Sequence, residues 1–526
     1  MLAGLILASC GRVDPSSSDL SIGDSSGEST SEISSISGTD SSSSTSSITD
    51  STSSGERPNS GTEIVDFYAI NDFHGAISND SYFGEPGLAK VASYLKDKQD
   101  DAPDNTVILS SGDMYQGSYD SYHNRGRVIT ESMNNIGFVS NTIGNHEFDW
   151  GTEDIINNTQ WADFGMLGAN IMNYPNTSTK ADIGEEYVII EKGHLRIGII
   201  GVIGESQINS INSRYMQDLY FQEPTQIIKD LSTELRQQQN CDIVVLSIHG
   251  GQEEVDSSIP KGKYVDAIFC AHSHRNQSSI INGVPFIQGG NNGKFVSNIR
   301  LSFNYASNAV SYVTRGNTYE GQLETYGEDS AVKAIIDNYA SFSNPAKLRE
   351  VGSLTDTLYR SGTLPNMANY AVAAKAQELS INIDFALTNY GRSDIPSGNV
   401  NYGDLFKGLP FDNYVYIVRS TGRNIKSQAG ASSNYFYRVK DYTSLSDTSY
   451  YTVAVVDYVL LHQNISKQYN YFTDYNPTTD YMGYLMNNSS QPYFPRDLLE
   501  EQFIQAPNHI IHPSFYTGDR YSNLTV

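Results

Sequence analysis

The sequence is poor in cysteine and in positive charge, and both shortages limit what the protein can be. Only three of its 526 residues are cysteines, which implies neither a disulfide framework nor a thiolate metal cluster. Cys241 and Cys270 sit at the ends of predicted buried strands, where a small apolar residue is ordinary. Lysine and arginine number 34 against 60 aspartates and glutamates, giving a net charge of -26. We therefore expect no binding of duplex nucleic acid, which needs clustered basic residues, while a small phosphorylated substrate stays open.

The N-terminus also lacks an apolar run long enough to cross a bilayer, since only residues 2–8 are continuously apolar. Leu7-Ala8-Ser9-Cys10 resembles a bacterial lipobox, in which signal peptidase cuts before a cysteine that is then lipidated. We predict a signal segment at 1–10 and a disordered Ser-rich linker at 11–61, because that stretch is nearly free of aromatic residues. Lipidated Cys10 would anchor the protein at the extracellular face of the bacterial cell membrane. A basic segment before the apolar run is lacking, and a disordered terminus with a chance cysteine is the alternative.

Short, β-branched apolar runs at 64–70, 106–110, 242–248 and 265–270 predict buried strands. Stretches of helical periodicity lie between them, at 88–98 and 225–239. Strand and helix therefore alternate, which indicates an α/β fold. Layered α/β sheets place their ligand sites beyond the carboxyl ends of the strands.

Polar side chains follow these strands at their carboxyl ends. A single histidine after a strand is usually structural, but here several follow in the same chain order as the acids. Carboxylate and carboxamide oxygens mixed with imidazoles suit divalent zinc, manganese or a similar ion, and the chain is expected to be a hydrolase. The candidate metal ligands are Asp72, His74, Asp113, Asn145, His249, His272 and His274.

The segment Gly144-Asn145-His146-Glu147-Phe148-Asp149 is the most specific in the chain. Asn145 can offer its carboxamide oxygen to a metal, which turns His146 toward substrate as an acid or as a stabiliser of phosphoryl charge. Asp149 can hold that imidazole in one tautomer. Asp113, flanked by glycine, is our candidate for a carboxylate that bridges two metals.

These segments resemble the calcineurin-like metallophosphoesterase superfamily, and specifically the bacterial and animal 5'-nucleotidase family, from about Ile64 to about Leu301. The resemblance implies an N-terminal four-layer αββα domain, predicted at 62–325, with His146 and Asp149 as the catalytic pair. It also implies two divalent ions, manganese, zinc or similar, in two ligand sets. These sets are Asp72, His74, Asp113 and His274 for one ion, and Asp113, Asn145, His249 and His272 for the other.

The second half of the chain resembles the C-terminal α/β substrate-binding domain of 5'-nucleotidases, predicted at 346–526 after a linker helix at 326–345. By that resemblance Asn389 and Arg392 contact substrate, Phe411 and Tyr458 stack on the base, and Asn464 bonds ribose hydroxyls. Two departures bear on these roles. The family's Asn-Gly-Gly-Gly-Ile-Arg is shortened to Asn389-Tyr390-Gly391-Arg392, and Asn464 stands where an acid is expected. Phe411 can equally be a core residue.

The resemblance implies release of phosphate from nucleotides by in-line attack of water activated by two metals about 3.5 to 4 Å apart. We expect an extracellular, monomeric 5'-nucleotidase-type phosphohydrolase acting on nucleotides or other small phosphoesters. One alternative keeps the metals but changes the substrate, to a 2',3'-cyclic nucleotide, a 3'-nucleotide or a nucleotide sugar. The other is a surface binding protein whose catalytic site has lapsed.

Overall fold

The protein is described here from a computed structural model, which describes residues 56–526 except 177, 257, 263, 431–433, 439–441, 465, 467, 488, 517–520 and 523–526. Cys10, the predicted signal segment and most of the predicted linker therefore lie outside the described residues. Within the described part, none of the helices combines the length and the apolarity that crossing a membrane requires.

The first half of the chain builds two six-stranded sheets and a small two-stranded one. Its strands in chain order are β1 (Thr62–Ile70), β2 (Thr106–Ser110), β3 (Ser140–Thr142), β4 (Gly165–Leu167), β5 (Ile171–Asn173), β6 (Tyr187–Lys192), β7 (Leu195–Ile203), β8 (Leu219–Phe221), β9 (Ile243–His249), β10 (Ala267–Cys270), β11 (Asn276–Ile281), β12 (Val284–Gly289), β13 (Phe295–Asn304) and β14 (Ala309–Tyr319). Its helices are α1 (Leu88–Asp101), α2 (Tyr119–His123), α3 (Arg127–Ile136), α4 (Thr152–Trp161), α5 (Thr225–Gln237), α6 (Ser258–Gly262), α7 (Glu320–Leu323) and α8 (Ser330–Lys347).

The two large sheets stack face to face, and helices cover their outer faces. The first sheet has the order β14-β13-β1-β2-β3-β4 and the second β11-β12-β10-β9-β7-β6. Successive side chains of a strand point to opposite faces. In β1, Phe67 joins the core between the sheets, and Tyr68 joins the core under α1 and α3. In β9, Val245 faces the first sheet while Val244 packs under α5. This alternation gives four layers and confirms the predicted α/β fold.

The four predicted strands and both predicted helices are present, with ends shifted by a few residues. β10 begins at Ala267 rather than 265. Just before the strand, the Asp266 carboxylate accepts hydrogen bonds from Arg236 at 2.7 Å and from the Val244 main chain at 2.9 Å.

Helix α8 is the predicted connection between the two halves. It begins after Asp329, whose side chain accepts hydrogen bonds from the main-chain N–H groups of Ala331 and Val332. Such a cap satisfies donors that the first helical turn leaves free. Val332 is buried in the outer core of the first sheet, and Ser343 donates a hydrogen bond to Asp120 at 2.7 Å. The helix is therefore packed along the first half of the chain.

The second half builds another α/β unit. Its strands are β15 (Glu350–Leu354), β16 (Phe385–Asn389), β17 (Gly398–Asn401), β18 (Val415–Thr421), β19 (Asn434–Arg438), β20 (Tyr450–Val456), β21 (Tyr481–Tyr484), β22 (Ile510–Ile511) and β23 (Tyr521–Ser522). Its helices are α9 (Thr363–Glu378), α10 (Tyr402–Gly408), α11 (Gly422–Gly430), α12 (Asp457–Leu460) and α13 (Pro495–Gln505). A six-stranded sheet of order β21-β18-β20-β16-β19-β23 packs against α9 through Ala371, Val372, Ala386 and Ile417.

Candidate functional site

The candidate metal ligands stand at the carboxyl ends of strands from both large sheets. β1, β2 and β3 run parallel as neighbours in the first sheet, and β9 and β10 do so in the second. Because parallel neighbours end at the same edge, their following loops meet there. Asp72 and His74 follow β1, Asp113 follows β2, Asn145 follows β3, His249 ends β9, and His272 and His274 follow β10.

Asp72, His74 and His274 form the first ligand group, with one donor atom from each residue lying within 4.8 Å of the others. Nε2 of His74 lies 3.0 Å from Nε2 of His274. Nε2 of His274 lies 3.6 Å from Oδ1 of Asp72, and Nε2 of His74 lies 4.0 Å from Oδ2 of Asp113. Asp113 thus borders this group.

Asp113, His249 and His272 form the second ligand group. Oδ2 of Asp113 lies 3.3 Å from Nε2 of His249. Oδ1 of Asn145 lies 3.1 Å from Nε2 of His249 and 2.9 Å from Nδ1 of His272. A third group, His74, Asp113 and His146, overlaps both, so the groups meet at Asp113.

The hydrogen bonds of two histidines show that these groups fit a cation. Nδ1 of His249 lies 2.8 Å from the carbonyl of Ser111, and Nδ1 of His74 lies 3.2 Å from the carbonyl of Gln116. A carbonyl only accepts, so Nδ1 carries the hydrogen, and a neutral ring presents a lone pair at Nε2. These lone pairs face carboxylate and carboxamide oxygens, which are electron-rich as well. Nitrogen and oxygen donors aimed at one another suit a divalent ion.

The electrostatics of the groups also favour positive charge. Burial lowers the pKa of His249, but the carboxylates of Asp113, Asp72 and Glu147 outweigh burial and raise it to about 9. Burial, reinforced by the charge of Asp113, raises the pKa of Asp72. Both shifts reflect negative charge that is concentrated away from water, and a bound divalent metal would offset that charge.

The backbone at these ligands is strained, which is common where a fold holds a site in one geometry. Five of these residues have positive φ angles, in the left-handed region that is unfavourable for residues other than glycine. Main-chain hydrogen bonds hold it in place, from Asp72 to the carbonyl of Gly112 at 2.9 Å and from His74 to that of Asp113 at 3.0 Å. The left-handed ligands are Asp72 (φ 49°), His74 (φ 50°), Asp113 (φ 57°), His272 (φ 69°) and His274 (φ 56°).

His146 begins the 3₁₀ turn His146–Phe148 beside the ligand groups. Its main-chain N–H donates to Oδ1 of Asp113 at 2.8 Å, and its Nδ1 lies 2.7 Å from Oδ2 of Asp149. Burial lowers the pKa of His146, but Asp149 and Asp113 outweigh burial and raise it above its ordinary value. The phenyl ring of Phe411 is stacked on the imidazole, with ring centroids 5.3 Å apart and planes 11° apart.

Two buried residues that the sequence did not single out support the ligands. The Glu147 side chain accepts main-chain hydrogen bonds from Asp113 at 3.0 Å, Met114 at 2.8 Å and Gly144 at 2.7 Å. Asn71 donates to Oδ2 of Asp72 at 2.6 Å and accepts from the main chain of Gly289 at 2.9 Å. The only signal for either was its place beside a ligand motif.

A cavity of about 360 Å³ lies between the ligand groups and the second half of the chain. Predicted residues on its ligand side are Asp113, Asn145, His146, Asp149, His272 and His274, and on its other side Asn389, Arg392, Phe411 and Tyr458. Lining residues that the sequence did not indicate include Arg214, Tyr215, Arg360, Tyr390, Asp412 and Tyr471.

Arg392 reaches the cavity although its loop is shortened. Nη2 of Arg392 is buried and has no hydrogen-bond partner among the described residues. Burial lowers the pKa of Arg392, and the nearby carboxylates of Asp113 and Asp72 oppose that shift. A guanidinium held there with a free donor suits an anion.

Asn464 is not among the described residues that line the cavity. Its side-chain oxygen accepts the main-chain N–H groups of Ser466 at 2.9 Å and Gln468 at 3.0 Å. It therefore closes its own turn, and this placement does not support the predicted ribose contact.

Two family models match this chain. Residues 65–276 match the calcineurin-like phosphoesterase model, and residues 350–428 match the C-terminal domain of 5'-nucleotidases. The first match covers every candidate metal ligand. The second covers Asn389, Arg392 and Phe411 and ends before Tyr458.

Curated relatives and solved structures agree with these matches. The chain is 26% identical over 408 residues to a 5'-nucleotidase of Vibrio cholerae, covering 68% of this chain and 73% of that protein. It is 25% identical over 393 residues to endonuclease YhcR of Bacillus subtilis, but the alignment covers 68% of this chain and only 32% of that protein. The structure of a 5'-nucleotidase precursor from Thermus thermophilus has the same fold, with a TM-score of 0.66, 17% identity and coverage of 88% and 100%.

Proposed function

Because the chain belongs to the calcineurin-like phosphoesterases that carry a 5'-nucleotidase C-terminal domain, we propose that it is an extracellular hydrolase releasing phosphate from nucleotides with two divalent metal ions. One observation carries the proposal. Members of both ligand groups border one cavity, together with the His146–Asp149 pair and with Arg392, whose Nη2 has no hydrogen-bond partner among the described residues.

Each ligand group would hold one of the two cations. Asp72, His74, Asp113 and His274 would hold one, and Asp113, Asn145, His249 and His272 the other. Two divalent ions bound there would neutralise phosphate oxygens and make water a strong nucleophile near neutral pH. Oδ2 of Asp113 lies 4.0 Å from Nε2 of His74 and 3.3 Å from Nε2 of His249, so this carboxylate is near both groups, as a bridging ligand would be.

His146 and Asp149 would serve the leaving group. Asp149 fixes Nδ1 of the imidazole, and the ring lines the cavity. A protonated imidazole there can stabilise charge on the transferring phosphoryl group or protonate the departing oxygen. Arg392 and Arg360, both lining the cavity, would pair with phosphate oxygens.

Aromatic rings would hold the nucleoside. Phe411 and Tyr458 line the cavity. One face of the Phe411 ring lies on His146, so its other face would serve the base. A base stacked on an aromatic ring gains about 1 to 3 kcal/mol without selecting one base. The cavity has the size of small-molecule sites, which run from roughly 300 to 1,000 Å³.

Anchoring through lipidated Cys10 is part of the proposal and draws its support from the lipobox-like Leu7-Ala8-Ser9-Cys10 and the Ser-rich stretch behind it. Labelling of expressed protein with a radioactive fatty acid would test it. We expect label in the membrane fraction and none in a Cys10→Ser variant.

The activity is tested by measuring phosphate release from chelated protein after each metal is added back. The panel contains AMP, UMP, 2',3'-cyclic nucleotides, 3'-nucleotides and nucleotide sugars. We expect metal-dependent release from 5'-monophosphates, abolished in Asp113→Ala and His146→Ala. Release only from a cyclic nucleotide or a nucleotide sugar would reassign the substrate. No release from any compound would favour a lapsed binding protein.

A further inference from the structure

We propose that Tyr390 is a positioning residue, whose ring holds the guanidinium of Arg360 toward the phosphate of the substrate. The inference rests on the proposed function, in which Arg360 pairs with phosphate. Both residues line the cavity, and CZ of Arg360 lies over the Tyr390 ring, 5.1 Å from its centroid. A guanidinium at this distance from an aromatic face is attracted by the ring.

Main-chain hydrogen bonds bring the two residues together. The N–H of Gly391 donates to the carbonyl of Arg360 at 2.7 Å. Leu358 and Ile395 exchange a pair of main-chain hydrogen bonds, each 2.9 Å long. The N–H of Arg360 also donates to Oδ1 of Asp394 at 2.7 Å. The segments 358–360 and 390–395 are therefore tied along their length, and the tie sets Tyr390 beneath Arg360.

The ring suits this task because it holds the guanidinium without neutralising it. No carboxylate of a described residue lies within salt-bridge distance of the Arg360 side chain. A carboxylate partner would cancel the charge that an incoming phosphate needs, whereas an aromatic face leaves the N–H donors and the charge available. Arg360 also lies near Arg392, whose like charge opposes a second guanidinium. Attraction to the ring offsets part of that repulsion.

Tyr390 stands where the loop departs from the 5'-nucleotidase motif that it resembles. The 5'-nucleotidase motif that this loop resembles has glycine after its asparagine, and here the loop is shorter and has Tyr390. A glycine has no ring to offer. The shortened loop thus gains a contact to the neighbouring arginine that the motif itself does not contain.

The test compares Tyr390→Leu with Tyr390→Phe, which keeps the aromatic face. Exposed Tyr359, which does not line the cavity, gives the matched control Tyr359→Leu. The readouts are kcat and KM for AMP, and calorimetric binding of orthophosphate to manganese-loaded protein. In Tyr390→Leu we expect KM and the orthophosphate Kd to rise about twofold to fivefold, which matches an exposed cation–π contact. We expect kcat to stay unchanged. Tyr390→Phe and Tyr359→Leu should match the unsubstituted protein.

A double-mutant cycle with Arg360→Ala decides whether Tyr390 acts through the arginine. We expect Tyr390→Leu to change neither quantity further once Arg360 is gone. An undiminished effect in the Arg360→Ala background would overturn the inference and make Tyr390 a base platform. If the protein releases phosphate from no nucleotide, the proposed function fails, yet the orthophosphate comparison still tests Tyr390. Orthophosphate binding that is absent, or equal in Tyr390→Leu and the unsubstituted protein, would overturn the inference.

Discussion

Glu147 is a buried carboxylate that links the loops after β2 and β3, which carry candidate metal ligands. It is 2% exposed and accepts main-chain hydrogen bonds from three residues of two loops, those after β2 and β3. One of these three residues is Asp113, the carboxylate between the two ligand groups. Glu147 therefore fixes the backbone from which Asp113 projects.

Replacing Glu147 by alanine should destabilise the fold, because it leaves three buried N–H groups without acceptors. We expect the free energy of unfolding to fall by about 3 to 5 kcal/mol. Urea unfolding of chelated protein measures this directly and separates it from any loss of metal. The control is Glu328→Ala, a change at an exposed position, which should stay within about 0.5 kcal/mol of the unsubstituted protein. Equal unfolding midpoints for the two variants would contradict this role.

Asp149→Asn should impair the orientation of His146 without affecting metal binding. Asp149 lies 2.7 Å from Nδ1 of His146, and an asparagine there can donate to that nitrogen and favour the wrong tautomer. We expect kcat to fall by about 10²- to 10⁴-fold. Metal content, measured by elemental analysis, should not change. Asp163→Asn, at an exposed position outside the cavity, should keep normal turnover. A loss of metal in Asp149→Asn would show that Asp149 supports the ligands instead.

Strands and helices were predictable from the sequence where a single physical requirement, such as burial, determines the residue types. Runs such as Val107-Ile108-Leu109 are buried on both faces of a central strand, and their continuous apolarity marks them as strands. The ligands at the strand ends follow from the same rule. Arg360 and Tyr390 did not follow from it, because their meeting depends on main-chain hydrogen bonds between distant loops. The ribose contact predicted for Asn464 draws no support from the structure, because the side-chain oxygen is used in its own turn.

His462, just after helix α12, makes the second half of the chain sensitive to acid. It packs against the rings of Tyr458 and Tyr471, and its buried Nδ1 has no hydrogen-bond partner among the described residues. Burial lowers the pKa of His462 to about 4. The unfolded chain binds a proton near pH 6.5, whereas the folded chain resists it. The resulting stability is present above pH 6.5 and is lost as the pH falls toward 4.

His462→Phe should remove this pH dependence, since phenylalanine fits an aromatic cluster and cannot be protonated. We expect the unsubstituted protein to lose about 2 to 3 kcal/mol more than His462→Phe between pH 7 and pH 4. Urea unfolding across that range, with chelator present in both samples, measures the difference. Parallel stability curves for the two proteins would contradict the prediction.

The second half of the chain contacts the residues that support the metal ligands. The side-chain amide of Gln116 donates to the carbonyl of Pro410 at 3.0 Å, while the carbonyl of Gln116 holds Nδ1 of His74. Tyr122 donates to Asp412 at 3.0 Å. Arg214 donates to the carbonyl of Asp412 at 2.8 Å and to the carboxylate of Asp457 at 2.8 Å. The two halves therefore meet at the cavity. The same hydrogen bonds fix the position of the aromatic side of the cavity relative to its ligand side.

Removing the metals should weaken the whole molecule as well as stop turnover. The donors come from loops of both large sheets, so the cations would tie the ends of β1, β2 and β3 to those of β9 and β10.

A ligand at a hundred times its Kd adds about 2.7 kcal/mol to folding stability. For a protein of this length each kcal/mol raises the melting temperature by roughly 2 °C or somewhat less. We therefore expect chelation to lower the melting temperature by several degrees, and manganese or zinc to restore both it and phosphate release. In Asp113→Ala, which loses the carboxylate oxygen that lies near both groups, added metal should raise the melting temperature much less. An unchanged melting temperature after elemental analysis has shown complete loss of metal would mean that the sheets hold the ligand loops without help from the cations.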